Sequence, residues 1–154
     1  MWRQVALAAL AVVLISFAGE RRAYPAVRYA LPGPDRPRGE IKVESYGVRA
    51  ESAWVGVLHV RLTITNDVDD TPWQIDTGEV TAEIEGQGAS QAGSVATDAG
   101  TPPLLSVPRG ERRVVDLYFA APTSLAGSPS SCSVTWSVRT GDGAVTEETS
   151  FGQR

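Results

Sequence analysis

Leu58-His59-Val60-Arg61-Leu62-Thr63-Ile64-Thr65 alternates an apolar residue with a polar one along its whole length. Successive side chains of an extended chain point to opposite faces, so this period of two marks a strand with one buried face. Leu58, Val60, Leu62 and Ile64 are aimed at a core, and His59, Arg61, Thr63 and Thr65 at solvent. The same period recurs on either side. Upstream, Ile41, Val43 and Ser45 alternate with Lys42, Glu44 and Tyr46. Downstream, Val80, Ala82 and Ile84 interleave with Thr81, Glu83 and Glu85. After the turn signal Pro108-Arg109-Gly110-Glu111, Val115, Leu117 and Phe119 alternate with Val114, Asp116 and Tyr118. Val134, Trp136 and Val138 alternate with Ser133, Thr135, Ser137 and Arg139. Asp142-Gly143 then predicts a type I′ turn into a last strand, Ala144 to Phe151.

No segment after Gly19 keeps a helical period for three turns, so the expected fold is all-β. About seven short strands, each apolar on one face, need a second layer to cover that face. This predicts an antiparallel β-sandwich, with a closed barrel as the alternative. The stretch Gly86 to Pro103, rich in Gly, Ala, Ser and Thr, is expected to be a mobile crossover between the sheets.

The sandwich accounts for residues 40–154 only. Residues 1–18 read as a signal peptide: Arg3, an apolar run from Val5 to Ala18 broken only by Ser16, and small residues at Ser16 and Ala18 before a cut. Val5 to Gly19 would span about 22 Å as a helix, short of the roughly 30 Å hydrocarbon core. Arg21, Arg22 and Arg28 just after the run argue the other way, for retention as a short membrane anchor through residues 5–19. No Cys stands near the end of the run, which excludes lipid attachment there. Residues 19–39 hold Pro25, Pro32, Pro34 and Pro37 among five arginines and two acids, and read as a stiff, exposed tether. Its charge of +3 contrasts with −8 for residues 40–154, where 16 acids face 8 bases.

Composition limits the chemistry. The 154 residues contain one His and one Cys, too few for a multi-ligand zinc, copper or iron–sulfur site and for any internal disulfide. A pI near 5.0 argues against nucleic acid as a partner. A Cys132–His59 dyad is conceivable, but His59 sits on the solvent face of its strand and Cys132 at a strand start, where it reads as a buried or capping thiol. A Ser–His–Asp triad needs the same His59 and lacks a Gly-x-Ser-x-Gly turn. Asp67, Asp69 and Asp70 are close enough in one loop to offer oxygen ligands to Ca²⁺, although their spacing is not that of an EF-hand. Asp76 and Glu79 join them as carboxylates from which a glycosidase pair would be drawn, and no aromatic-lined sugar groove accompanies them. Trp136 and Phe119 fall at core positions. Trp54 and Trp73 stand at strand ends and are the candidates for an exposed recognition patch. Arg109, Arg112 and Arg113 make a basic spot that guards a sheet edge or meets a partner.

Leu58 to Asn66, the following polar loop with Pro72-Trp73, the turn Val107-Pro108-Arg109-Gly110-Glu111 and the strand Val115 to Phe119 together resemble the secreted or surface-attached immunoglobulin-like domains of bacteria. The inter-sheet Cys pair of antibody domains is absent. The resemblance implies an immunoglobulin-like sandwich outside the cytoplasm, periplasmic, secreted or on the surface. The expected function is therefore a non-enzymatic module, without cofactor, that binds another envelope or extracellular protein or serves envelope structure. The alternative is a small secreted hydrolase or calcium-binding domain using the Asp67–Asp70 loop.

Overall fold

The computed structural model describes residues 23–52, 56–96, 103–127, 129 and 131–152, with the side chains of 94–96 outside that set. Residues 1–18, read from the sequence as a signal peptide, Trp54 and residues 97–102 lie outside the described residues. The described residues form eleven strands: β1 (Val27–Leu31), β2 (Gly39–Ala50), β3 (Gly56–Asn66), β4 (Trp73–Asp76), β5 (Thr81–Ile84), β6 (Gln87–Ala89), β7 (Gln91–Ala96), β8 (Leu104–Val107), β9 (Glu111–Ala121), β10 (Ser131–Thr140) and β11 (Gly143–Gly152). Two short 3₁₀ turns, Thr77–Glu79 and Thr123–Leu125, are the only helical elements among the described residues, and none is long or apolar enough to cross a membrane.

All pairings are antiparallel, in two sheets. The first runs β1-β2-β3-β9-β7; the second runs β6-β5-β10-β4-β8, with β11 on the other flank of β10. The apolar registers named from the sequence face each other across this sandwich. Ile41, Val43, Leu58, Val60, Leu62, Ile64, Val115, Leu117 and Phe119 of the first sheet meet Ile75, Leu105, Val107, Val134, Trp136 and Val138 of the second, all at most 1% exposed. The fold is an all-β antiparallel two-sheet sandwich.

Four sequence expectations are corrected. The tether is partly sheet: Val27–Leu31 pairs with Gly39–Val43, and Tyr29 reaches into the core to meet Trp136 edge-on at 5.2 Å. Brevity and flanking prolines had hidden that strand. The Gly86–Pro103 stretch does cross between sheets, but as strands, β6 in the second sheet and β7 in the first. The final hairpin has Gly141 and Asp142 between the paired Thr140 and Gly143, and the positive φ falls on Gly143 at 129°. That is not a type I′ turn, which needs positive φ at both central residues. The primed turn is instead Glu85-Gly86, with φ of 50° and 79° between the paired Ile84 and Gln87. Fourth, the described residues hold eleven strands rather than about seven, because β1, β4, β6 and β8 are too short to show a period.

Candidate functional site: an aromatic ladder on the first sheet

The outward residues of β2, β3 and β9 form two adjoining rows. Strand register sets one row as Glu44, Arg61 and Asp116. In the next row His59 stands opposite Tyr118, whose other neighbour is Gly93 of β7. On the β2 side the register slips: Ser45 pairs with Val60 and Val48 with Leu58, so Tyr46 and Gly47 together oppose His59. Gly47 makes this bulge, with φ of 77° and a backbone so close to Gly127 O that a Cβ would lie 2.4 Å from it. The bulge brings the Tyr46 ring over His59.

The result is a ladder of three rings. Tyr46 stacks on His59 at 4.5 Å between centroids, and His59 on Tyr118 at 4.9 Å. His59 therefore faces outward, as its period requires, yet is only 1% exposed; its expected solvent exposure is corrected by the two tyrosines that cover it. Its Nε2 lies 2.6 Å from Asp116 Oδ1. An ionised carboxylate only accepts, so Nε2 carries the proton and donates. The Arg61 guanidinium donates to the same carboxylate through two nitrogens, at 2.9 and 3.2 Å, and its carbon lies 5.5 Å from the Tyr46 ring centre.

Burial works against a charge on Asp116, but the hydrogen bonds from His59 and Arg61 outweigh it and hold the carboxyl below its usual range. Burial likewise opposes the charge on Arg61, and its hydrogen bond and charge attraction to Asp116 outweigh that and raise its pKa. The cluster is a closed ion pair with an imidazole locked inside it. With both ring faces covered, His59 has no approach for a substrate, whereas the half-buried Tyr46 and Tyr118 show part of their surface to solvent.

The residues expected from the sequence are placed elsewhere. Cys132 is in the core, 3.7 Å from Ser45 Oγ, on the opposite side of the first sheet from His59; burial pushes its thiol pKa up. The dyad cannot form. Trp73 is fully buried, with Nε1 donating to Asp69 Oδ2 at 2.8 Å, so it offers no exposed recognition surface. Asp69 also lies 3.4 Å from Arg38, which pairs in turn with Asp142. Asp70 pairs with Arg109 at 2.7 Å. Guanidinium groups thus stand where the calcium reading places the cation, and Asp67 directs its backbone N–H to Arg38 O. Asp76 caps the first 3₁₀ turn by accepting from Gly78 N, and Glu79 lies in that turn. Among the described residues no three His, Cys, Asp or Glu side chains group as a metal site would need. Arg113 pairs with Glu111 beside it on β9, Arg112 is exposed, and the basic spot is spread between that strand and the Asp70 loop.

The ladder was missed because its two tyrosines are unremarkable as single residues; only the β2 bulge, which Gly47 hints at, brings Tyr46 into the row. No protein-family model matches the chain, and no curated protein matches its sequence. Among solved structures, the GAE domain of yeast GGA1 aligns with 83% of this chain and 100% of its own, at 11% identity and a TM-score of 0.37. The GAE domain of GGA2p from Saccharomyces cerevisiae aligns with 83% and 97%, at 8% identity and a TM-score of 0.38.

Proposed function

We propose that the chain is an extracytoplasmic, non-enzymatic immunoglobulin-like module that binds another protein of the cell envelope through the outer face of its first sheet. The observation that carries this reading is the ladder. Tyrosine and arginine are the residue types enriched where proteins bind one another, and fixed rings lose little side-chain entropy on docking. Here Tyr46, Tyr118 and Arg61 are held by His59 and Asp116, before any partner arrives. Gly93 leaves open space beside Tyr118, room for a side chain from outside. The locked His59 and the buried Cys132 favour a module without catalysis. The apolar run Val5–Ala18 supports export.

The test uses that open space. Gly93→Lys adds a side chain beside Tyr118 without steric cost, and Gly88→Lys, also with nothing near its Cβ, does the same on the second sheet. Capture of an envelope partner should fall at least tenfold with Gly93→Lys and stay unchanged with Gly88→Lys, both proteins melting like the parent. Equal capture by the two variants would refute the assignment.

A further inference from the structure

We propose that β11 is a docking edge for an extended segment of a partner protein that carries two consecutive basic residues. This rests on the reading of the chain as a protein-binding module, but assigns a second surface and a mode of binding. Open sheet edges carry unpaired backbone donors and acceptors, and proteins protect them by short strands, proline, bulges or charged side chains. Four other edge strands here are protected in those ways. β1 has 5 residues between Pro25 and Pro32; β6 has 3; β8 has 4 between Pro103 and Pro108; and β7 carries a register shift between Gln91 and Gly93. β11 is neither short, interrupted by proline nor bulged, and its one guard is the pair of carboxylates at Glu147 and Glu148. Its 10 residues, Gly143–Gly152, contain no proline, lysine or arginine, and pair with β10 without a register break from Thr140↔Gly143 to Ser131↔Gly152. Among the described residues no strand lies against its other side, and no further backbone hydrogen bond reaches residues 143–152. Every second residue of β11 therefore offers its N–H and C=O outward.

The charges on that edge select the occupant. Glu147 and Glu148 are its only charged side chains, both exposed. Glu147 stands opposite the buried Trp136 and Glu148 opposite the outward Thr135, so one carboxylate lies on each face of the edge. A second copy of β11, paired antiparallel near the strand centre, would set Glu147 against Glu147 or, one residue along, Glu148 against Glu148, since directly opposed residues share a face. Directly opposed like charges disfavour that pairing. An incoming strand with adjacent Lys or Arg presents one cation to each face, while its backbone completes the ladder.

The probe is a synthetic peptide as long as β11, alternating Thr and Val around a central Lys-Lys, titrated against the full chain recovered from expressing cells. The same peptide with central Glu-Glu is the comparison. The expected result is binding of the Lys-Lys peptide, slowed amide exchange at alternate residues of 143–152, and at least tenfold weaker binding of Glu-Glu. In the exposed double variant Glu147→Lys with Glu148→Lys, the two peptides should exchange places, which unfolding cannot imitate. The proposal is overturned if Lys-Lys does not bind, if both peptides bind alike, if protection appears elsewhere, or if the free chain sediments as a dimer that the double variant abolishes. Because the peptide assay needs no natural partner, its failure leaves the Gly93→Lys result standing, and the reverse also holds.

Discussion

Asp116 and Asp69 each receive an arginine and an aromatic N–H, yet they do different things. Asp116 lies in mid-strand, where register delivers Arg61 directly opposite and His59 on the diagonal. Its cluster is flat against the sheet and turns aromatic surface outward. Asp69 lies in the loop after β3, bonded to Trp73 and near Arg38, and Arg38 goes on to Asp142 in the β10–β11 turn. Asn66 completes this latch, accepting from Asp69 N and donating to Asp69 O and Val107 O. One carboxylate builds a surface; the other ties loops at one end of the sandwich.

Trp73→Ala should produce the largest effect, a loss of about 3–5 kcal/mol in denaturant unfolding, because it empties a core site as well as releasing Asp69. A loss below about 1 kcal/mol would mean the latch contributes nothing to packing. Next, Asp116→Ala should cost about 2–4 kcal/mol, since it leaves the buried His59 N–H without its acceptor. Asp69→Ala should cost about half as much, because water reaches the loop; equal costs would erase the distinction between the two sites. The third expectation concerns pH. A carboxyl held below its unfolded value stabilises the fold above that value, near 3.8, and loses its contribution as pH falls through the lower folded one. Asp116→Asn should therefore flatten the acid limb of the stability curve below pH 3.8, and an unchanged limb would contradict the ion-pair account. The smallest effects belong to the loop: Arg109→Ala should shift stability by about 0.5 kcal/mol or less, the usual worth of an exposed pair. Millimolar Ca²⁺ should not move the Tm, and a rise lost in Asp69→Asn would restore the metal reading.

The strands with long periods, β3, β9 and β10, were legible because burial on one face writes itself into alternate residues. That rule places Tyr118, His59 and Asp116 each on the face of its strand opposite the apolar one. What the period could not tell was that an outward His can be buried by its neighbours across the sheet, since cross-strand stacking depends on register. Trp73 was misread for a related reason. A Trp beside a polar loop looks half exposed until Asp69 in that loop is seen to satisfy its N–H, which removes the cost of full burial. The short strands β1 and β8 take their structure from pairing partners far along the chain, Gly39–Val43 and Trp73–Asp76. Their own four or five residues carry no period to read.

The most direct test of the central claim places a photoreactive amino acid at position 93, beside Tyr118, and in a second strain at position 88 on the other sheet. Irradiation of intact cells should give a protein adduct from position 93 and none from position 88. Adducts from position 88 alone, or equally from both, would contradict the assignment of the first sheet's outer face as the binding surface.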